Sequence, residues 1–271
     1  MKKRIFVMIR YSVLSKNRSK NWVVGRKEFD EYREELFHPD RLSAREELFQ
    51  KITLPSLVHQ SKSPSKDWLT VYILVSEEMP KNSLDSLSKI VGAYDWISIV
   101  PVPVEKTQIN APLMNGVSEV EGDICYASVR LDDDDALAST YFEDLFRYIE
   151  KPFAGFGVSF GKGVAGVISN GKFADFKDYY YPKNAQGLAF IQYKSANEKV
   201  VDMSVYDAGI HTRIDQNHPV ILDSRKCAFM RTIHQHADTA ADKALASILK
   251  LQSLEISNVT AHFSFDPSLM P

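Results

Sequence analysis

The chain has 271 residues, 44% hydrophobic and 25% charged, with 12 glycines and 12 prolines; this composition belongs to a folded globular protein and excludes disordered and fibrous chains. Against 33 Lys and Arg stand 35 Asp and Glu, a net charge of −2, which argues against nucleic acid as a partner across the whole surface. Two cysteines, Cys125 and Cys227, cannot build a disulfide framework or a four-thiolate zinc site, so a reducing compartment, by default the cytoplasm, is expected.

The N-terminus reads Met1-Lys2-Lys3-Arg4, then an apolar run from Ile5 to Ile9 that Arg10 stops. That run is too short for a signal peptide, and no stretch approaches the roughly 18 apolar residues of a membrane span. It suits a first strand buried on both faces of a parallel sheet. From Phe29 to Gln60 the apolar spacing turns helical, with Pro55 marking a kink or a new start. Residues 67–75 read as a second strand, 83–93 as a helix, 96–100 as a third strand and 123–131 as a fourth, followed after four aspartates by a helix from Ala136 to Glu150. This alternation predicts an α/β fold whose mostly parallel central sheet is flanked by helices, with ligands at the carboxyl ends of the strands. After Lys151 the texture is β-rich: Asn170-Gly171 between 164–169 and 172–176 signals a hairpin. A last helix is expected over about 239–254. The whole chain, 1–271, reads as one domain with a nucleotide-binding half (1–150) and an acceptor-side half (151–271).

Gly161-Lys162-Gly163-Val164-Ala165-Gly166 matches G-x-G-x-x-G by letter. A dinucleotide fingerprint must leave a strand and open a helix, whereas this one runs into the hairpin, so it is rejected.

The informative segment is Arg130-Leu131-Asp132-Asp133-Asp134-Asp135. Adjacent carboxylates repel, by about 1 kcal/mol per pair at 4 Å even in water, unless a cation or a helix N-terminus compensates. A solvated loop with one capping aspartate is the plain alternative. The run leaves a buried strand, however, where residues two apart project to one side, so Asp132 and Asp134 can both face the cleft. Hard oxygen ligands at that spacing suit Mg²⁺ or Mn²⁺, which could hold a diphosphate.

RLDDDDAL resembles the Asp-x-Asp motif of glycosyltransferases with the A-type fold, and in particular the R-[IL]-D-x-D-D pattern of bacterial rhamnosyltransferases. MIRYSV at 8–13, RLSAREELFQKITLPSLVHQ at 41–60 and FMRTIHQHADT at 229–239 extend the resemblance over most of the chain. It implies a nucleotide-diphospho-sugar transferase fold and a metal-dependent transfer of a sugar, rhamnose by the family's name, from a nucleoside diphosphate donor to a glycan or lipid-linked glycan acceptor in surface glycan synthesis. Asp132 would contact the donor ribose or the metal, Asp134 would bind the metal, and Asp135 would support them or cap the helix. Arg10, Tyr11 and Ser12 lie where this fold receives the nucleotide. Arg45 and Arg130 would neutralise phosphate or orient carboxylates, and Glu77 is placed like the acidic residue that meets the nucleobase. The late FMRTIH aligns His234, not His236, with the histidine that completes the metal shell.

If the reaction inverts the sugar, a carboxylate must take the acceptor proton, and Asp207 and Asp215 are the candidates; if it retains, no base is needed. His211 and His218 read as solvated. Nine basic residues precede the first acid, Glu28: Lys2, Lys3, Arg4, Arg10, Lys16, Arg18, Lys20, Arg26 and Lys27. They read as a solvated face, with peripheral contact to anionic lipid at the inner membrane as the functional alternative. Two rival functions use the same aspartates: a metal-dependent phosphatase or nucleotide-sugar hydrolase, and a non-catalytic Ca²⁺- or sugar-binding module.

Overall fold

The computed structural model describes residues 1–16, 28–105, 108–235 and 246–270. Strand β1 (Lys2–Tyr11) fixes the architecture, because Ile5 to Ile9 have no exposed surface. Ile5, Val7 and Ile9 point into one hydrophobic layer and Phe6 and Met8 into another, on the opposite face. A strand with no polar face must lie inside a sheet covered on both sides. Its neighbours are β2 (Leu69–Ser76) and β4 (Ile124–Asp132), both parallel to it, and β3 (Ile97–Val102) pairs in parallel with β2.

The back half completes this sheet. β6 (Gly157–Ser159), β9 (Ala189–Lys194) and β10 (Val220–Leu222) give seven strands in the order β10-β6-β9-β4-β1-β2-β3. β9 is antiparallel to both β4 and β6, and β10 is parallel to β6, so β9 alone runs against the other six. A second sheet has the order β5-β11-β7-β8, from β5 (Ala136–Leu137), β7 (Lys162–Ser169), β8 (Lys172–Tyr180) and β11 (Phe229–Ile233). The expected hairpin joins β7 and β8 through Asn170 (φ 51°) and Gly171 (φ 73°). Two successive positive φ values make the two-residue turn whose twist matches the strands, which Asn-Gly supplies at least cost. Gly163 and Gly166 lie inside β7 and no helix follows them, in line with the rejected dinucleotide reading.

The helical region from Phe29 is four pieces: α1 (Phe29–Leu36), α2 (Pro39–Leu48), a π-helical turn (Phe49–Thr53) and α3 (Leu54–Val58). Pro55 stands in the first turn of α3. It has no N–H to give and its ring crowds the carbonyl four residues back, so the helix widens ahead of it. α4 (Lys81–Val91) follows β2 as expected, and α5 (Ala111–Ser118) is an additional helix before β4.

The helix predicted over 136–150 is confined to α6 (Tyr141–Phe146). Ala136 and Leu137 pair instead with Met230 and Phe229 of β11, and Tyr141, Phe142 and Leu145 are buried against the first sheet. The apolar positions that read as one helical face serve two elements. Of the last expected helix, 239–245 lie outside the described residues, 246–248 are helical, and the chain then turns. A short α7 (Ile256–Thr260) follows.

Candidate active site

β4 delivers the acidic run to the carboxyl edge of the seven-stranded sheet, and its last residue, Asp132, stands in register with Arg10 of β1. The chain then turns: the Asp135 N–H donates to the Asp132 carbonyl over 3.3 Å. Asp132 and Asp134 are therefore brought near each other by a turn, not by the strand alternation the sequence suggested.

Each carboxylate has its own compensation. Asp132 accepts from Arg130 at 3.3 Å on both oxygens. Asp133, fully buried, takes the fork of Arg45, with Nε 3.1 Å from Oδ2 and Nη2 on Oδ1. Asp134 Oδ2 accepts from Arg45 Nη1 at 3.2 Å and lies 2.9 Å from His234 Nε2. Asp135 accepts from the Thr232 N–H at 2.8 Å and from Gln186 Nε2 at 2.7 Å. Arg45 is only 4% exposed, so this guanidinium of α2 is a structural counter-ion inside the acidic turn. A buried, always-charged fork that meets two carboxylates is what lets the run enter the protein at all.

These partners sort the carboxyls. Burial opposes ionisation of Asp134, but Arg45 and the His234 hydrogen bond hold its pKa well below the usual carboxylate range. Asp132 is also held low, with partial burial outweighed by Arg130 and Arg10. Asp135 is pushed up by burial and by the charges of Asp134 and Asp132.

His234 arrives through the second sheet. β5 is antiparallel to β11, with Ala136 against Met230. Continued by two residues, that register sets Asp134 against Thr232, whose Oγ1 donates to the Asp134 carbonyl at 2.7 Å. His234 follows β11 directly and so closes on the same turn. The sequence called for a histidine ring within about 6 Å of this run; Nε2 stands 2.9 Å from a carboxylate oxygen, although 100 residues separate the two. His236 lies outside the described residues. Two ligand atoms at that separation are compatible with one shared cation, since metal bonds to imidazole and carboxylate are about 2 Å. Among the described residues, no three His, Cys, Asp or Glu side chains are grouped to hold an ion by themselves. The fit is therefore to an ion with two protein ligands and positions left for other oxygens.

Arg10 and Arg130 stack against Tyr206, 4.9 and 5.6 Å from its ring centroid, and the Tyr206 hydroxyl donates to the Met8 carbonyl at 3.0 Å. The other expected site residues are placed elsewhere. Tyr11 is 2% exposed and packs edge-on against Phe49 at 5.8 Å, inside the core. Ser12 has φ 51° and accepts from Arg41 at 3.0 Å. Glu77 accepts from the Val104 N–H at 2.8 Å, tying the end of β2 to the segment after β3. Asp207 accepts from Asn110 Nδ2 at 2.7 Å and from the Ser204 N–H and hydroxyl, which fixes a turn whose Ser204 and Val205 are buried. Asp215 is exposed and paired with Lys183 at 2.7 Å.

The basic run does not gather into one patch among the described residues. Lys3 pairs with Glu150 and Arg4 donates to Thr70 Oγ1 at 2.9 Å at the start of β1. Arg10, six residues further along β1, is about 20 Å away at 3.3 Å per residue, and Lys16, beyond the strand, pairs with Glu105. Arg18, Lys20, Arg26 and Lys27 lie outside the described residues. No helix among the described residues is long and apolar enough to cross a membrane.

Sequence reasoning gave no role to Asp133, Tyr206, Gln186 and Thr232. Asp133 carried a signal in its place in the acidic run, and Thr232 lies within FMRTIHQHADT; Tyr206 and Gln186 reach the site through tertiary contacts with no local pattern.

A family model described as "Putative rhamnosyl transferase" matches residues 4–245. Solved structures similar to this chain include S. aureus TarS, residues 1–349 (11% identity, TM-score 0.39, covering 94% of this chain and 68% of that one). Another is the mannosyltransferase PcManGT from Pyrobaculum calidifontis in complex with GDP-Man and Mn²⁺ (11% identity, TM-score 0.44, 92% and 62%). A third is 4-diphosphocytidyl-2C-methyl-D-erythritol synthase from Anaerococcus prevotii (14% identity, TM-score 0.37, 90% and 94%). The chain thus spans less than two thirds of the length of that mannosyltransferase. No curated protein matches the sequence.

Proposed function

The chain belongs to the rhamnosyl transferase family and is a glycosyltransferase, and on that premise we propose that it moves a sugar, rhamnose in the first instance, from a nucleoside diphosphate donor to a hydroxyl of a glycan or lipid-linked glycan. The observation that carries the reading is the contact of Asp134 Oδ2 with His234 Nε2 at 2.9 Å, at the carboxyl edge of the sheet.

Asp134 and His234 would hold a divalent cation, Mn²⁺ or Mg²⁺, whose charge would offset the negative charge that develops on the leaving diphosphate. Asp132, exposed over 27% of its side chain, would meet the donor ribose or the ion. Arg10 and Arg130, both held against Tyr206, would approach the phosphates. Arg45 would act one step behind, holding Asp134 ionised and oriented. Ser12 and Glu77 would line the nucleotide side from the ends of β1 and β2, and Tyr11 would support them from the core. Asp135, bonded to Thr232 and Gln186, would brace the turn. The halves 1–150 and 151–271 would work as one domain, since β6, β9 and β10 complete the sheet that β1 to β4 begin.

Thermal unfolding with nucleoside diphosphates, with and without Mn²⁺, tests this reading. A ligand at 100 times its dissociation constant adds about 2.7 kcal/mol, worth roughly 5–10 °C in a chain of this size. Asp134→Ala is expected to remove the Mn²⁺-dependent part while leaving a cooperative transition. Equal stabilisation of that variant and the native chain would overturn the metal assignment. Stabilisation by Ca²⁺ alone, with no effect of any nucleotide, would instead favour a binding module.

A further inference from the structure

Beside the loop that carries Lys183, the segment after β9 enters a 3-10 helix (His211–Gln216), and its first residue was not expected to take part in the chemistry. His211 Nδ1 lies 2.8 Å from the carbonyl oxygen of Lys183. A carbonyl can only accept, so Nδ1 carries the proton, and in the neutral ring Nε2 is left with its lone pair. The ring is half-buried. Lys183 belongs to the loop that borders the site: three residues on, Gln186 Nε2 donates to Asp135 at 2.7 Å, and the Gly187 N–H donates to the Arg130 carbonyl at 2.9 Å. Lys183 and Asp215, one on each of the two segments that meet here, are paired with each other at 2.7 Å. The net environment lowers the imidazole pKa, with burial the largest cause, the Lys183 hydrogen bond opposing it, and Arg130 adding to it. At neutral pH the ring is therefore uncharged and able to accept a proton.

We propose that His211 is the general base of the transfer, taking the proton of the acceptor hydroxyl on Nε2 while Lys183 fixes its tautomer through Nδ1. This rests on the glycosyl-transfer reading above. In the step, the acceptor oxygen forms a bond to the anomeric carbon as its proton passes to His211. The bond from that carbon to the diphosphate oxygen breaks, and its electron pair leaves with the nucleoside diphosphate. Attack and departure on opposite faces invert the anomeric centre. Asp207 and Asp215 fit the role less well: the first is occupied by three hydrogen bonds from Asn110 and Ser204, and the second is an exposed carboxylate whose pKa is lowered by Lys183. The arrangement of a base nitrogen oriented through its other ring nitrogen is the logic of activated nucleophiles generally.

The test needs no knowledge of the natural acceptor. Water and azide are offered to the purified protein with Mn²⁺ and, in turn, dTDP-rhamnose, GDP-mannose and UDP-glucose, and nucleoside diphosphate release is followed. Water must be deprotonated as it attacks; azide is already an anion and needs no base. His211→Asn keeps an N–H where Nδ1 was, and so the bond to Lys183, but has no nitrogen at the position of Nε2. The expected result is a loss of about 10²- to 10⁴-fold in the water reaction, with glycosyl azide, of inverted configuration, still formed at the native rate. Native-rate hydrolysis by His211→Asn would overturn the proposal. So would an equal loss of both reactions, which would make the residue a positioning one. If the native chain turns over none of the three donors with either nucleophile, glycosyl transfer itself fails and the base assignment falls with it.

Discussion

Arg45 carries more of the acidic turn than any other single residue. Its fork meets Asp133 and Asp134 with almost no solvent between them, so its removal would leave two buried carboxylates short of a counter-charge. Breaking a buried pair from one side costs about 3–5 kcal/mol. Arg45→Ala is expected to lose that much stability in urea denaturation, and Arg45→Lys to recover less than half, because an ammonium cannot repeat the fork. A loss below 1 kcal/mol for the alanine variant would mean that the turn is compensated from elsewhere. The two thiols make a second residue-scale case. Burial pushes Cys227 up to about 12 and Cys125 up to about 11, and reactivity follows the thiolate. At pH 8 neither should be alkylated by iodoacetamide in the folded chain, while both should be once it is unfolded; mass spectrometry of labelled peptides reads the difference.

At the scale of elements, the parallel pairing of β7 with β11 supports the strand that leads into His234. Gly163 lies against Phe229, and a Cβ there would come within 2.6 Å of both the Phe229 ring and its carbonyl oxygen. The carbonyl cannot give way without parting the strands, so Gly163→Ala is expected to cost about 1–3 kcal/mol. It should also weaken Mn²⁺-dependent nucleotide stabilisation, because β11 leads straight into His234. Unchanged nucleotide stabilisation in a destabilised variant would show that the His234 position does not depend on this contact. The misread helix at 136–150 belongs to the same scale: Ala136 and Leu137 have helical spacing with the residues of α6, yet the second sheet claims them first.

For the whole molecule, the sheet is shared between the two halves of the chain. β4 is hydrogen-bonded to β9 along Ile124 to Val129, so a fragment ending at residue 150 would expose a long apolar strand edge, the kind that aggregates. Residues 1–150 alone are expected to be insoluble or associated, and the full chain to unfold in one transition by circular dichroism and tryptophan fluorescence. A monomeric, cooperatively folding 1–150 fragment would show the halves to be separate domains.

The sequence by itself determined the parallel front of the sheet, the Asn-Gly hairpin, the acidic run at a strand end and the family. Each rests on a signal carried within a few residues: apolar runs, turn residues with positive φ, and a motif in order along the chain. The tertiary structure alone decided how four aspartates coexist, because Arg45 comes from another element and its partners are set by packing. It also decided that Arg10 and Arg130 both meet Tyr206, and that His211 meets Lys183, since no spacing in the chain encodes contacts between residues so far apart. The pairing of Asp134 with His234 stands between these cases: the motifs named both residues, but their meeting at 2.9 Å follows from the register of β5 on β11, which long-range hydrogen bonding fixes and local sequence does not.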